Sequence, residues 1–164
     1  MNKPQIKVAT IDLYNNERNE GMRCIKEIVA DAGIKNSNID LKYDVFETRY
    51  KGDVPDLSYD IFISSGGPGS PFEDEKKQWD KDYFTLLDKI WNHNQTSEQK
   101  KYIFFICHSF QMMARFFQFG EVNQRFINSF GVMPFLKTDE GKNDTILKDL
   151  TNPFYAADIR HWQV

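Results

Sequence analysis

Cys107 lies where an apolar run, "YIFFI" at 102–106, meets a segment whose apolar residues recur at helical spacing. A residue at such a strand-to-helix turn projects above the sheet, which is the geometry of a nucleophile elbow. The first turn of the helix presents unpaired N–H groups and a positive dipole end, which favour a thiolate. The N–H of His108 would then face a developing oxyanion. The alternative is a structural cysteine buried at a strand end, and Cys107 alone leaves both interpretations open.

A second unusual segment, "SSGGPGSP" at 64–71, also follows a short apolar strand. Glycine lets the backbone approach a ligand closely, so an N–H of this loop can act as an oxyanion donor. The loop has neither the Gly-Lys-Ser/Thr ending of a phosphate loop nor the GxGxxG of a dinucleotide site. An ordinary strand-to-helix turn is the alternative. Together with Cys107, the loop predicts a nucleophile with a two-donor oxyanion hole.

Alternating strands and helices must position these two loops. Strands are predicted at 6–14, 39–48, 59–65 and 102–106. Helices are predicted over Met22–Ala32 with Gly33 as the stop, over Trp79–Trp91, and from Cys107 to about Phe119 with Gly120 as the stop. This order predicts an α/β fold with a doubly wound, mainly parallel sheet and helices on both faces. Ligands bind beyond the carboxyl ends of such strands, where both loops lie.

The strand at 102–106 is apolar on both faces, which predicts a central strand buried on both sides. After Gly120 the pattern changes to short strands separated by turns. The turns are predicted at Glu140-Gly141, Lys142-Asn143 and Thr151-Asn152-Pro153. The last segment, 154–164, reads as a strand that runs to the final residue. We therefore expect residues 1–164 to form one domain that lacks its C-terminal part.

Composition narrows the classes of function. The 164 residues are 40% hydrophobic and 27% charged, which is typical of a soluble globular protein. A net charge of −3 with mixed signs excludes the basic surface that binding to nucleic acid or a membrane requires. Two cysteines do not make a disulfide framework, and the N-terminus is not a signal peptide. No apolar run approaches the ~18 residues of a membrane span. These features predict a cytoplasmic protein.

The remaining acidic, sulfur-containing and aromatic residues are explained by ordinary surface or packing roles. Four acidic residues lack the spacing of metal ligands: Asp53, Asp56, Asp74 and Glu75. Cys24 on the first helix is predicted to serve packing. The pairs Met112-Met113 and Phe116-Phe117 recur at helical spacing, which is typical of core contacts. We predict neither a metal nor an organic cofactor.

As an ordered pair, the loop and the elbow resemble those of the class I, or triad-type, glutamine amidotransferases. The family's "SGGPxSP" loop is matched by 65–71, and its "GICxGxQ" elbow by Ile106, Cys107 and Gln111. Phe105 and Ser109 stand in place of the elbow glycines. Later segments also look like family motifs: 129–131, 138–144 and 154–164. The resemblance spans nearly the whole chain and implies a flavodoxin-like, class I glutamine amidotransferase-like fold for 1–164.

The resemblance also implies a role for each matched residue. Cys107 would attack the carboxamide carbon of glutamine, form a γ-glutamyl thioester and release ammonia. The backbone N–H groups of Gly67 and His108 would hold the oxyanion, while Gln111 and Gly69 would bind the substrate. The ammonia would pass to a synthase partner, unless the protein is a stand-alone hydrolase of γ-glutamyl compounds.

The family activates its cysteine with a His-Pro-Glu motif, which these 164 residues lack. Of the three histidines, His93 falls in a polar connector and His108 follows the nucleophile with its side chain directed away. His161 precedes Trp-Gln and looks like the family's non-catalytic histidine. The base is therefore expected beyond Val164, and residues 1–164 alone are expected not to hydrolyse glutamine.

Two alternatives remain open. A DJ-1/PfpI-like cysteine hydrolase shares the fold and favours "ICH" at the elbow, with an acid from the N-terminal part contacting the thiol. Glu17 and Glu20 are the candidates for that acid, although a solvated helix start explains them equally well. The other alternative is a non-catalytic binding domain of the same fold, which the missing His and Glu and the departures at Phe105 and Ser109 would fit.

Overall fold

A computed structural model describes residues 3–164. The elements follow the order β1 (Gln5–Ile11), α1 (Glu20–Lys35), β2 (Asp40–Phe46), α2 (Thr48–Lys51), β3 (Ile61–Ser64), α3 (Gln78–Thr96), β4 (Tyr102–Phe105), α4 (His108–Phe117), β5 (Asn123–Phe135), α5 (Asp139–Asn143) and β6 (Phe154–Gln163). They form two compact units, one ending at Glu121 and the other spanning Val122–Val164. Among the described helices, none has the length and apolar content needed to span a membrane.

The first unit is built on a four-stranded sheet with the order β2-β1-β3-β4. Every pair in this sheet is parallel, as predicted. Strands β3 and β4 are neighbours, and their register places Ser64 opposite Phe105. Because both strands end at the same edge, the segments that follow them start side by side. The predicted placement of the two unusual loops at the carboxyl edge of the sheet is therefore confirmed.

Helices cover both faces of the sheet. On one face, α1 packs Met22, Ile25 and Val29 against Val8. On the other face, α3 and α4 bury a larger apolar cluster against β1 and β3, with Ile11 among its fully buried members. Val8 and Ile11 reach opposite faces because successive side chains of a strand alternate. The doubly wound α/β architecture is therefore confirmed.

The predicted central position of β4 is wrong for the described residues, since this strand forms an edge of the sheet. Ile103 and Phe105 pack against the larger apolar cluster. Tyr102 and Phe104 point the other way and are 67% and 55% exposed. An apolar run does not distinguish a strand covered on both faces from one covered on a single face, because aromatic residues also occur on exposed strand faces.

Several predicted boundaries also differ. Gly33 lies inside α1, which ends at Lys35. The next residue, Asn36, caps the helix, and its backbone N–H and side-chain amide both donate to the Ala32 carbonyl, at 3.1 and 2.8 Å. Helix α3 continues to Thr96, into the predicted polar connector. Helix α4 ends at Phe117, and Gln118 takes the left-handed conformation expected of Gly120. At the ends of α1 and α4, a non-glycine residue, Asn36 or Gln118, therefore takes the role predicted for a glycine.

The second unit is an antiparallel pair of strands, β5 and β6, joined through the short helix α5. Residues 139–143 are helical, so the turns predicted at Glu140-Gly141 and Lys142-Asn143 are wrong. The reason is local, because the Thr138 hydroxyl accepts the Gly141 N–H at 3.1 Å and caps the helix. The strand predicted at the end of the chain is confirmed as Phe154–Gln163.

Truncation of Phe62 tests this description of the core. Its ring is fully buried on β3, so Phe62→Ala should lower the free energy of unfolding by about 3–5 kcal/mol. Phe104→Ala on neighbouring β4 is the matched control, because that ring is already 55% exposed and should lose only about 1 kcal/mol. Urea titrations of both variants measure the difference. Equal losses would contradict the assignment of the two strand faces.

Candidate functional site

Cys107 occupies a strained turn between β4 and α4. Its backbone angles are φ 53° and ψ −103°, a region that residues with a side chain rarely adopt. The Cys107 carbonyl accepts the N–H of Gln111 at 3.1 Å, so the residue begins the helix. Its side chain is exposed, and the alternative of a buried structural cysteine is therefore wrong. The strand–turn–helix geometry predicted for the elbow is present.

Ser109 explains how the elbow forms without the glycine found there in the resembling family. Its hydroxyl accepts the N–H of Ile106 at 2.9 Å and donates to the carbonyl of Ser64 at 2.8 Å. The Ser109 side chain is fully buried. A hydroxyl at this position therefore ties the elbow to the end of β3, where a glycine would leave the Ser64 carbonyl without this donor.

The glycine loop after β3 lies against the elbow. A Cβ built on Gly66 would lie 3.6 Å from the Cβ of Cys107 and 3.0 Å from the hydroxyl oxygen of Tyr14. A Cβ on Gly67 would lie 2.6 Å from the backbone carbonyl oxygen of Leu13 and 3.4 Å from the imidazole of His108. Backbone cannot easily move away, so Gly67 has no room for a side chain. The structure thus brings together the two loops that the sequence singled out.

His108 is buried beneath this loop, with an exposed fraction of 3%. Burial lowers the pKa of its imidazole to about 4, and the positive charge of Arg49 acts in the same direction. The side chain is therefore neutral at pH 7. Its position agrees with the expectation that the His108 side chain does not serve as the base. The oxyanion role of the His108 N–H, like that of Gly67, stays a prediction.

The two predicted substrate-binding residues lie close to the same elements. Gln111 is in the first turn of α4 and is 5% exposed. Gly69 is exposed and has φ +84°, and a Cβ there would collide with the carboxylate of Glu73. The left-handed conformation favours glycine at 69, whereas the Glu73 carboxylate is the end of a flexible side chain that could move. Their contacts with glutamine stay predictions.

Tyr14 is a site residue that the sequence did not indicate. It follows β1, and its half-buried hydroxyl lies next to Gly66 and Gly21. Burial raises the pKa of this hydroxyl, and an ionised Cys107 raises it further. A tyrosine after β1 gives no sequence signal by itself. It reaches the elbow because β1 pairs with β3, a fact that only the strand order supplies.

Arg49 is a second residue that the sequence did not indicate. It belongs to the short helix α2, and its side chain is only 5% exposed. The guanidinium donates to the carbonyl of Pro68 at 2.7 Å and pairs with Asp74 and Glu73. A buried arginine is rare without such partners, and here its partners lie on or just after the glycine loop.

The other two histidines are on α3 and β6. His93 is in the last turn of α3, not in a connector, and its Nε2 lies 2.8 Å from the Gln99 carbonyl. The neighbouring Asn94 bonds to Lys101, directly before β4, so His93 lies at the opposite end of that strand from Cys107. His161 is exposed on β6, in the second unit.

The structure also shows where Glu17, Glu20 and Cys24 lie. Glu17 and Glu20 line a polar cavity of about 910 Å³ together with Asp12 and Glu47. Glu20 is exposed and pairs with Arg23 on α1. Cys24 is exposed, so its predicted packing role is wrong, whereas the core roles of Met112 and Phe116 are confirmed. Among residues 3–164, no group of three His, Cys, Asp or Glu side chains is arranged to hold a metal ion.

The structure superposes on a crystal structure of a glutamine amidotransferase from Thermotoga maritima with a TM-score of 0.72 and 18% sequence identity. This chain has a glutamine amidotransferase-like fold. The match covers 96% of this chain and 61% of that one. A protein named SMU.1228c matches with a TM-score of 0.63 and 17% identity over 96% of this chain and 62% of its own.

A glutamine amidotransferase from Methylobacillus flagellatus also matches, with a TM-score of 0.56, 12% identity, and coverage of 99% of this chain and 57% of that one. The chain therefore spans less than two thirds of each of these three proteins. No protein-family model matches the chain, and no curated protein sequence does so either. The fold expected from the sequence resemblance is confirmed, and the likeness at these identities concerns the fold.

The burial of His108 predicts a pH dependence. The unfolded chain binds a proton at this residue near pH 6.5, whereas the folded protein does so only near 4. The contribution of neutral His108 to the free energy of unfolding is thus fully present above pH 6.5. It falls as the pH falls, and about 3 kcal/mol is lost at pH 4. Urea titrations from pH 7 to 4 should show this loss in the wild type and a correspondingly smaller loss in His108→Gln. Identical pH profiles would contradict a buried, neutral His108.

Proposed function

We propose that this chain carries the nucleophile of a glutamine amidotransferase, with Cys107 attacking the side-chain amide of glutamine. The main support is one observation, the exposed Cys107 on a strained elbow beside the glycine loop. A backbone conformation that costs about 1–3 kcal/mol persists where the surroundings hold it, and such strain is common at active sites. The amidotransferase-like fold is a second, coarser support.

In this proposal the Cys107 thiolate attacks the carboxamide carbon, and a C–S bond forms while the C=O electron pair moves to oxygen. The N–H groups of Gly67 and His108 stabilise that oxyanion. Protonation of the nitrogen and collapse of the tetrahedral intermediate break the C–N bond and release ammonia, leaving a γ-glutamyl thioester. Water then attacks the thioester, which gives glutamate and restores the thiol.

Gln111 and Gly69 complete the proposed site by binding glutamine. Gln111 lies one helical turn after Cys107, so both residues are on the same side of α4. None of the three histidines is proposed as the base, since His108 is buried, His93 lies at the opposite end of β4 and His161 looks like the family's non-catalytic histidine. We propose that the ammonia passes to a synthase or that the enzyme hydrolyses γ-glutamyl compounds. The test therefore measures alkylation of the Cys107 thiol, a reaction that does not require the catalytic base.

A chloroketone analogue of glutamine tests the proposal directly. Residues 1–164 should be alkylated at Cys107 at least tenfold faster than at Cys24, although both thiols are exposed. Glutamine should protect Cys107 and leave Cys24 unaffected, because only Cys107 lies in the proposed substrate site. Peptide mass spectrometry measures both rates.

Iodoacetamide is the control reagent for this experiment, because it carries no glutamine-like recognition groups and reports thiol reactivity alone. Cys107→Ser is the control variant, in which Cys24 labelling should be unchanged. Equal, slow labelling of both cysteines without protection by glutamine would overturn the proposal and favour a non-catalytic domain of the same fold.

A further inference from the structure

The guanidinium of Arg49 contacts two backbone carbonyls next to Gly67. Its Nη1 donates to the carbonyl of Pro68, the next residue, at 2.7 Å. The same nitrogen lies 3.5 Å from the carbonyl oxygen of Leu13, the atom that would crowd a Cβ on Gly67. We propose that Arg49 is a positioning residue that holds the loop directly after Gly67 and thereby keeps the Gly67 N–H facing the oxyanion. This inference rests on the proposed function of Gly67.

The other two nitrogens of Arg49 connect to the far end of the loop. Nη2 pairs with Glu73 at 2.5 Å, and the second carboxylate oxygen of Glu73 accepts the N–H of Ser70 at 3.0 Å. Nε donates to Asp74 at 3.0 Å. One guanidinium thus fixes the loop at Pro68 directly and at Ser70 through Glu73. These two attachments hold the segment directly after Gly67, at the carbonyl of Pro68 and the N–H of Ser70, and so limit the freedom of the chain that follows the Gly67 N–H.

The shape of the guanidinium matters for this task. The central carbon of the Arg49 guanidinium lies over the ring of Trp79, 5.4 Å from the ring centroid. Three nitrogens in a planar fork reach Pro68, Glu73 and Asp74 at once, whereas a lysine ammonium is a compact point charge on a flexible stem. Arg49→Lys therefore keeps the charge near His108 but loses the simultaneous contacts.

A contribution to stability alone would not require this arrangement. Buried ion pairs contribute little net stability, because desolvation offsets most of their attraction. Arg115 offers a matched comparison within the same unit, since its side chain is 14% exposed and pairs with Asp80 at 2.9 Å. Arg115 also donates to a loop carbonyl, that of Pro71, which lies four residues beyond Gly67. Both arginines thus pair with an acid and bond to a loop carbonyl, which belongs to the residue after Gly67 for Arg49 and to the fourth residue after Gly67 for Arg115.

Glutaric semialdehyde is the probe for the test. Its aldehyde carbon takes the place of the glutamine carboxamide carbon, and addition of the Cys107 thiol gives a hemithioacetal whose oxygen needs the oxyanion donors. Protection of Cys107 from iodoacetamide measures its affinity in residues 1–164. In Arg49→Lys the half-protecting concentration of semialdehyde should rise about tenfold, while protection by glutamine and the unprotected alkylation rate should change less than twofold.

Arg115→Lys should change all three values less than twofold. Equal weakening of semialdehyde protection in the two arginine variants, or no weakening in Arg49→Lys, would overturn the positioning role. If Arg49→Lys does not fold, Glu73→Gln replaces it, because that variant removes the charged link between Arg49 and Ser70 while leaving Arg49 paired with Asp74. Its expected effect has the same direction and is smaller.

A substrate-free measurement separates this inference from the proposed function. The heteronuclear NOE of the Gly67 amide reports the rigidity of that peptide on the picosecond-to-nanosecond timescale. It should fall in Arg49→Lys and stay at the wild-type value in Arg115→Lys. If the wild type binds neither glutamine nor the semialdehyde, the proposed function is overturned, and the NOE comparison still decides whether Arg49 holds Gly67. An unchanged NOE in Arg49→Lys would overturn the inference by itself.

Discussion

The parallel pairing of β3 with β4 is the constraint on which the candidate site depends. The pair is in register so that Ser64 faces Phe105, and both chains leave the sheet at the same edge. Ser109 then bonds to the Ser64 carbonyl, which joins the elbow to the strand that carries the glycine loop. Shifting this register would separate Cys107 from Gly66, because each residue of slip along a strand moves a loop by about 3.3 Å. The fit of the loops is a consequence of sheet geometry.

The meeting of the two loops at one edge of the sheet could be predicted because the relevant sequence signals are local. An apolar run that stops at Cys107, a glycine-rich loop and the alternation of strands with helices are visible without tertiary contacts. Parallel strands always bring their carboxyl ends together, so the loops could be placed at one edge before any distance was known. Ser109 departs from the family's elbow glycine, and its hydroxyl forms hydrogen bonds that a glycine could not form.

Tyr14, Arg49 and the edge position of β4 could not be predicted for the same physical reason. Each depends on which strands are neighbours, and composition does not encode that order. Arg49 stands in "FETRYKG", where a solvated helix residue is the usual interpretation of an arginine. It is buried because α2 follows β2 at the carboxyl edge and meets the acids of the loop, 24 and 25 residues later in the chain. Only the folded arrangement shows that a charge is needed there.

Electrostatics around the loop explain why a histidine is tolerated directly after the nucleophile. Asp74 and Glu73 both pair with Arg49. A protonated His108 would therefore share these carboxylates with Arg49, and the guanidinium would repel it. His108 therefore stays neutral and packs beside Gly67 as a flat, weakly polar ring. A neutral His108 avoids repulsion by Arg49 and leaves that cation paired with its two carboxylates. The side chain of the residue after Cys107 thus contributes uncharged packing, and the buried charge beside the loop comes from α2.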